Sequence, residues 1–148
     1  MSKKRIYFDN CCFNRPYDDQ SQLIIELETK AKLYIQKLIV SNEAELFISY
    51  ISELENDDNP IEIRKTAIEG FFKYAKQNIS ESEKLIEIAE EIEKSGLKAK
   101  DSLHIACAIT AKCDYFLSTD KRLLKFSDCR INIMNPIDFV QTLKEDKI

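Results

Sequence analysis

Asp114-Tyr115-Phe116-Leu117-Ser118-Thr119-Asp120-Lys121-Arg122-Leu123-Leu124 compresses a strand, a turn and a helix start into one short segment. Tyr115 to Ser118 reads as a buried strand, because a short apolar, aromatic-rich run ends in turn residues. Asp120 follows two residues later and stands where it can cap a helix carrying Leu123 and Leu124. Upstream, Asp101 begins a helix lined by Leu103, Ile105, Ala106, Ala108 and Ile109, which feeds this strand. Before it, Ser80 with Glu83 forms a capping box for a helix that buries Leu85, Ile86, Ala89 and Ile92 and stops at Gly96. Asn59 and Pro60 resemble an N-cap and first helical position, opening a helix to about Lys76.

The N-terminal third repeats the alternation. Arg5 to Phe8 reads as a buried strand ending at Asp9, followed by a loop from Asn10 to Gln20. From Ser21, apolar positions at Leu23, Ile24, Leu27, Ala31, Tyr34, Ile35 and Leu38 recur near a period of 3.6, which predicts an amphipathic helix. Leu46 to Ile51 is the second strand, Ile131 to Met134 the last, and a helix from Pro136 to about Leu143 closes the chain. Strands alternating with helices predict the α/β class, with a parallel sheet covered on both faces. Right-handed crossovers then bring the strand C-termini to one edge, where such sheets bind ligands.

Four carboxylates fall near that edge. Asp9 directly follows the first strand and Asp120 follows the Tyr115–Ser118 strand. Glu55 lies about one helical turn past the second strand, and Asp101 opens the helix leading to the third. Crowded carboxylates raise each other's pKa, and a divalent cation reverses that cost. Mg²⁺ and Mn²⁺ favour carboxylate, water and phosphate oxygens, so this pattern points to metal-assisted phosphodiester chemistry. A Ser/His/Asp or Cys/His mechanism is disfavoured, because His104 is the chain's one histidine. Each carboxylate also has a blander role open to it. Asp9 suits a turn, Asp101 and Asp120 suit helix caps, and Glu55 suits a solvated cluster with Glu53, Asp57 and Asp58. His104, three residues after Asp101, reads as a core histidine or one that supports the site indirectly. Lys98, Lys100, Lys121, Arg122 and Lys125 flank the proposed site and suit phosphates, or simply a solvated surface.

Composition sets bounds. The 148 residues fit one domain, 1–148, with 44% apolar and 32% charged residues, the balance of a globular chain. The apolar run after Lys3-Lys4-Arg5 is cut at Asp9, too short for a secretory signal, and no run is long enough to span a bilayer. A cytoplasmic location is the default expectation. Five cysteines without CxxC spacing argue against a zinc ribbon or a disulfide framework. Against 22 Lys and Arg stand 26 Asp and Glu, a net charge of −4. Nucleic-acid contact must then use a local basic patch, metal ions or a partner.

Tyr7-Phe8-Asp9-Asn10-Cys11 resembles the opening motif of PIN-domain nucleases, and Lys98 to Ala108 is similar to that family's central "DaxHxaxA" helix. Asp114 to Leu124 resembles its "dyflTxDxxl" segment, and Ile133-Met134-Asn135-Pro136-Ile137-Asp138-Phe139 its "i.nPxdf" ending. The motifs stand in the family's order across nearly the whole chain. The resemblance implies a three-layer α/β/α PIN-like fold around a parallel sheet and Mg²⁺- or Mn²⁺-dependent endoribonuclease activity on RNA. It further implies the role of a VapC-type toxin, with a small antitoxin partner and often a homodimer. It carries the acidic positions onto Asp9, Asp101 and Asp120. For the fourth it offers Glu53 or Glu55, with Glu55-Asn56 before Asn59-Pro60 matching the "En..NP" of one subgroup. Ser118 stands at a position that orients a carboxylate or a water. Asn10-Cys11-Cys12 departs from the usual Thr or Ser, which removes a hydroxyl contact there.

Two other functions compete. A catalytically silent PIN-like module binding RNA or a protein suits the acidic charge, and it gains if the carboxylates do not converge within shared-metal reach. A hydrolase of small phosphate esters lacks a glycine-rich phosphate loop, and the chain has only two glycines to build one.

Overall fold

β1 (Lys4–Phe8) is central because it has no polar face: Ile6, Tyr7 and Phe8 are fully buried. Strands covered on both faces belong to parallel sheets. The computed structural model describes residues 3–146, and in it β1, β2 (Ala44–Ser49), β3 (Ala75–Ile79), β4 (Tyr115–Leu117) and β5 (Asn132–Met134) are all parallel. Their order is β3-β2-β1-β4-β5. Tyr7 faces one core with Phe47, Phe116 and the residues of α5 (Glu83–Glu93) and α6 (Ala99–Thr110). Ile6 and Phe8 face the other, with Ile35 of α2 (Leu23–Val40), Phe71 of α4 (Glu62–Phe72) and Phe139 of α8 (Pro136–Asp146). This is the expected α/β architecture with helices on both faces. Sheet growth reverses at β1, so the crevice beyond β1 and β4 is the topological switch point where open α/β sheets bind ligands.

Several elements differ from expectation, each for a local reason. Residues 10–20 are not all loop. Asp9 caps α1 (Asn10–Asn14), whose Cys12 and Phe13 are buried, and a 3₁₀ turn follows at Arg15–Tyr17. β2 stops at Ser49, which caps α3 (Tyr50–Asp57) in a capping box with Ser52, so Glu55 is helical. Asn59 does not cap α4; its side chain accepts the Ile61 N–H, forming a turn ahead of the helix. The predicted helix to Lys76 ends at Phe72, and β3 begins at Ala75. Lys76, Gln77 and Asn78 at its centre are exposed, so no apolar alternation betrays it. Such a polar edge also discourages pairing with another chain. Ser82, not Ser80, caps α5 through the Leu85 N–H. α6 starts at Ala99, which places Asp101 inside its first turn rather than at the cap.

α2 departs in orientation. Leu23, Ile24 and Leu27 are 69%, 52% and 43% exposed, whereas Glu28 and Lys32 are buried with Ala31 and Ile35. Glu28 is held by Arg15 and Asn135, and Lys32 by Gln36 and the face of Phe71, so each buried charge has a partner. Cys12, Cys107 and Cys113 pack as small buried hydrophobes. Among the described residues, no helix is long and apolar enough to cross a membrane.

Candidate active site

Asp9 emerges from β1 at the switch point, 6% exposed. Its backbone N–H donates to the Leu117 carbonyl of β4, which extends the β1–β4 pairing into the turn. Oδ1 accepts the Asn10 N–H, and Oδ2 accepts the Ser118 hydroxyl at 2.8 Å and the Cys11 thiol at 3.3 Å. Burial holds the Asp9 carboxyl well above the usual carboxylate range, and Cys11 adds to the rise; His104 and the Ser118 bond oppose it.

Asp120 caps α7 (Lys121–Leu124) by accepting the Arg122 N–H with Oδ1 at 2.9 Å. Its own N–H donates to Ser118 Oγ at 3.0 Å. The helix cap foreseen as the bland role for Asp120 is therefore present, and Asp9, expected at a turn, caps α1 instead. Ser118 binds both residues with one fully buried hydroxyl.

Asp101 is half-buried in the first turn of α6. Burial raises its pKa, and Asp120 and Glu55 raise it further, while His104 and Lys98 pull it down. Asp101 therefore lies within electrostatic reach of Asp120 and Glu55. Glu55 accepts from His104 Nε2, the histidine one turn beyond Asp101 on α6. Glu53 turns the other way, toward β3, where Asn78 Nδ2 donates to it. Between the two rivals on α3, Glu55 is the one beside Asp101.

Beneath Glu55 lies a buried chain of polar groups. His104 Nδ1 is 2.6 Å from the Tyr7 hydroxyl, which in turn is 2.7 Å from Ser49 Oγ and 3.3 Å from Ser52 Oγ. Tyr7 and Ser49 were missed by reasoning from the sequence. The available signal was a tyrosine inside a fully apolar strand, since a buried phenol needs a hydrogen-bond partner. Beside Glu55, a groove of about 340 Å³ is lined by Asn10, Asn14, Asn59 and Arg64 among others.

The donor set is mostly oxygen, which suits a hard cation. Buried Asn10 Oδ1 and Thr119 Oγ1, next to Asp9 and Asp120, lack a hydrogen-bond partner. Orphaned acceptors beside crowded carboxylates are what a hydrated cation would satisfy. Among the described residues, however, no three His, Cys, Asp or Glu side chains converge closely enough to hold a metal ion. Mg²⁺ needs no such cage, since it commonly binds through one or two carboxylates together with water and substrate phosphate.

The sequence matches the PIN domain family over residues 6–128, a span that runs from β1 past α7. The chain belongs to the PIN domain family. Proteins with PIN domains are generally nucleases that use divalent metal ions. This PIN domain is also similar to a solved structure, the VapBC2 complex of Rickettsia felis bound to a DNA fragment from its promoter. The TM-score is 0.55 at 14% identity, with 88% of this chain and 98% of that one covered, a likeness of fold. No curated protein matches the sequence.

Proposed function

We propose that this PIN domain is a Mg²⁺- or Mn²⁺-dependent endoribonuclease whose site comprises Asp9, Glu55, Asp101 and Asp120, and that it serves as the toxin of a toxin–antitoxin pair. The observation that carries this reading is the Ser118 hydroxyl that ties Asp9 to Asp120, beside an Asp101 whose pKa Asp120 and Glu55 both raise. Gathered negative charge of this kind needs a cation. Carboxylates of this set, completed by water and substrate phosphate, would hold it, and when bound it would supply water activation and charge neutralisation at the phosphate. Lys98, Lys100, Lys121, Arg122 and Lys125, all exposed, would hold RNA phosphates and offset the net charge of −4.

A small antitoxin is the proposed partner. Support comes from the VapBC2 likeness and from Leu23, Ile24 and Leu27, which leave an apolar patch on α2 uncovered. Homodimerisation is proposed on the general prevalence of two-fold dimers and is read by light scattering. The decisive experiment incubates pure protein with diverse RNAs and Mg²⁺ or Mn²⁺, with Asp9→Asn as control. Equal cleavage by both proteins, or none by either, rejects the ribonuclease.

The second reading is a silent module that binds RNA or a protein. It is favoured by the absence, among the described residues, of three ligand side chains already within metal-holding reach. It predicts RNA binding that neither chelator nor Asp9→Asn disturbs.

A further inference from the structure

Glu55 sits on a short helix at the sheet edge, yet its carboxylate is fastened from inside the protein. His104 is 1% exposed and bridges Glu55 and Tyr7 with its two ring nitrogens. One set of directions is consistent with the capping role of Ser49 and a carboxylate at Glu55. Ser49 Oγ already accepts the Ile51 and Ser52 backbone N–H groups as the cap of α3, so toward Tyr7 it donates. The Tyr7 oxygen receives that proton and passes its own to His104 Nδ1. Nε2 then carries the remaining ring hydrogen and gives it to Glu55. Tyr7 cannot swing away, because its ring stacks on Phe116 of β4 at 5.4 Å and is fully buried.

We infer that Tyr7 and His104 are positioning residues of the metal site: the Ser49–Tyr7–His104 chain fixes the histidine as its Nε2–H form and thereby aims Glu55 at the crevice. This rests on the four-carboxylate reading above and adds to it two buried residues that touch neither metal nor RNA. Partners of this kind typically cost 10–100-fold in metal affinity when removed. The chain also spans three elements, so the position of Glu55 on α3 is set jointly by β1 and α6.

Two measurements test it. The first needs no variant. With one histidine in the chain, a long-range ¹H–¹⁵N spectrum of the metal-free protein reports a single ring. An Nε2–H tautomer is expected, and an Nδ1–H tautomer overturns the inference. The second compares Mn²⁺ affinity, by calorimetry without RNA, in wild type, Tyr7→Phe, His104→Ala, His104→Gln and Glu55→Gln. Tyr7→Phe and His104→Ala are expected to weaken binding by about tenfold or more, with His104→Gln recovering part through its amide N–H. Mn²⁺ affinity unchanged in folded Tyr7→Phe, beside a weakened Glu55→Gln, overturns the inference alone. Unchanged affinity in Glu55→Gln removes Glu55 from the metal site, and both readings fail together.

Discussion

The Ser118 hydroxyl donates a 2.8 Å hydrogen bond to the Asp9 carboxylate across 109 positions of sequence. Because the same oxygen accepts the Asp120 N–H, it joins the residues that follow β1 and β4 at the one place where the sheet order reverses. Neighbouring strands thus deliver the carboxylates, and a single hydroxyl sets their spacing.

Ser118→Ala leaves Asp9 Oδ2 without its hydroxyl donor and Asp120 N–H without its acceptor. Mn²⁺ affinity and RNA cleavage should both fall by about tenfold to a hundredfold. A titration showing wild-type affinity would deny Ser118 any part in holding the site.

The two glutamates of α3 separate by function. Glu55→Gln should lower RNA cleavage by at least about tenfold, the scale seen around metal sites. Glu53→Gln keeps an amide oxygen that can accept from Asn78 and should cleave at the wild-type rate. Initial rates on one RNA compare them directly, and a reversed order would move the fourth acidic position to Glu53.

Lys32 gives a stability prediction with a definite sign. Burial pushes its ammonium down from 10.5 to about 8, opposed by the nearby Cys12. Between these values the unfolded chain binds more protons than the folded one, so Lys32 contributes stability that rises with pH across that window. The full contribution is of the order of 3 kcal/mol. Denaturant unfolding at several pH values should show wild type gaining stability relative to Lys32→Met from about pH 7.5 to 10. A gap independent of pH would mean that Lys32 titrates normally.

Arg15 lies 3.1 Å from Glu28 through Nε, an ion pair whose angle falls short of a hydrogen bond. Arg15→Ala leaves the buried Glu28 carboxylate with Asn135 but no opposite charge, and should cost about 3 kcal/mol in chemical denaturation. The double change Arg15→Met with Glu28→Met removes both charges and should recover most of that loss. Additive losses in the double variant would contradict the pairing.

The strands that place Asp9 and Asp120 were legible because apolar runs such as Ile6-Tyr7-Phe8 and Tyr115-Phe116-Leu117 have no helical alternative of that length. Asp101 was legible as a residue of the α6 start, although Lys98 rather than Asp101 is its cap. β3 was not legible, since its central residues Lys76, Gln77 and Asn78 lie exposed at the sheet edge and carry no periodic signal. The buried face of α2 was misread for a different reason. Periodicity assigned Leu23, Ile24 and Leu27 to the core, but paired Glu28 and Lys32 occupy it. Glu28 is held from outside the helix, by Arg15 and Asn135, which spacing along α2 does not record. The same holds for the Tyr7–His104 contact, which joins residues 97 positions apart.

The distance along the chain between Asp9 and Ser118 has a consequence for synthesis. During synthesis Asp9 is made 109 positions ahead of its partner, which arrives only after β4 has emerged. Until then the Asp9 carboxylate has no hydroxyl to hold it. A fragment that stops short of β4 would therefore carry Asp9 and Glu55 without the hydroxyl that links Asp9 to Asp120.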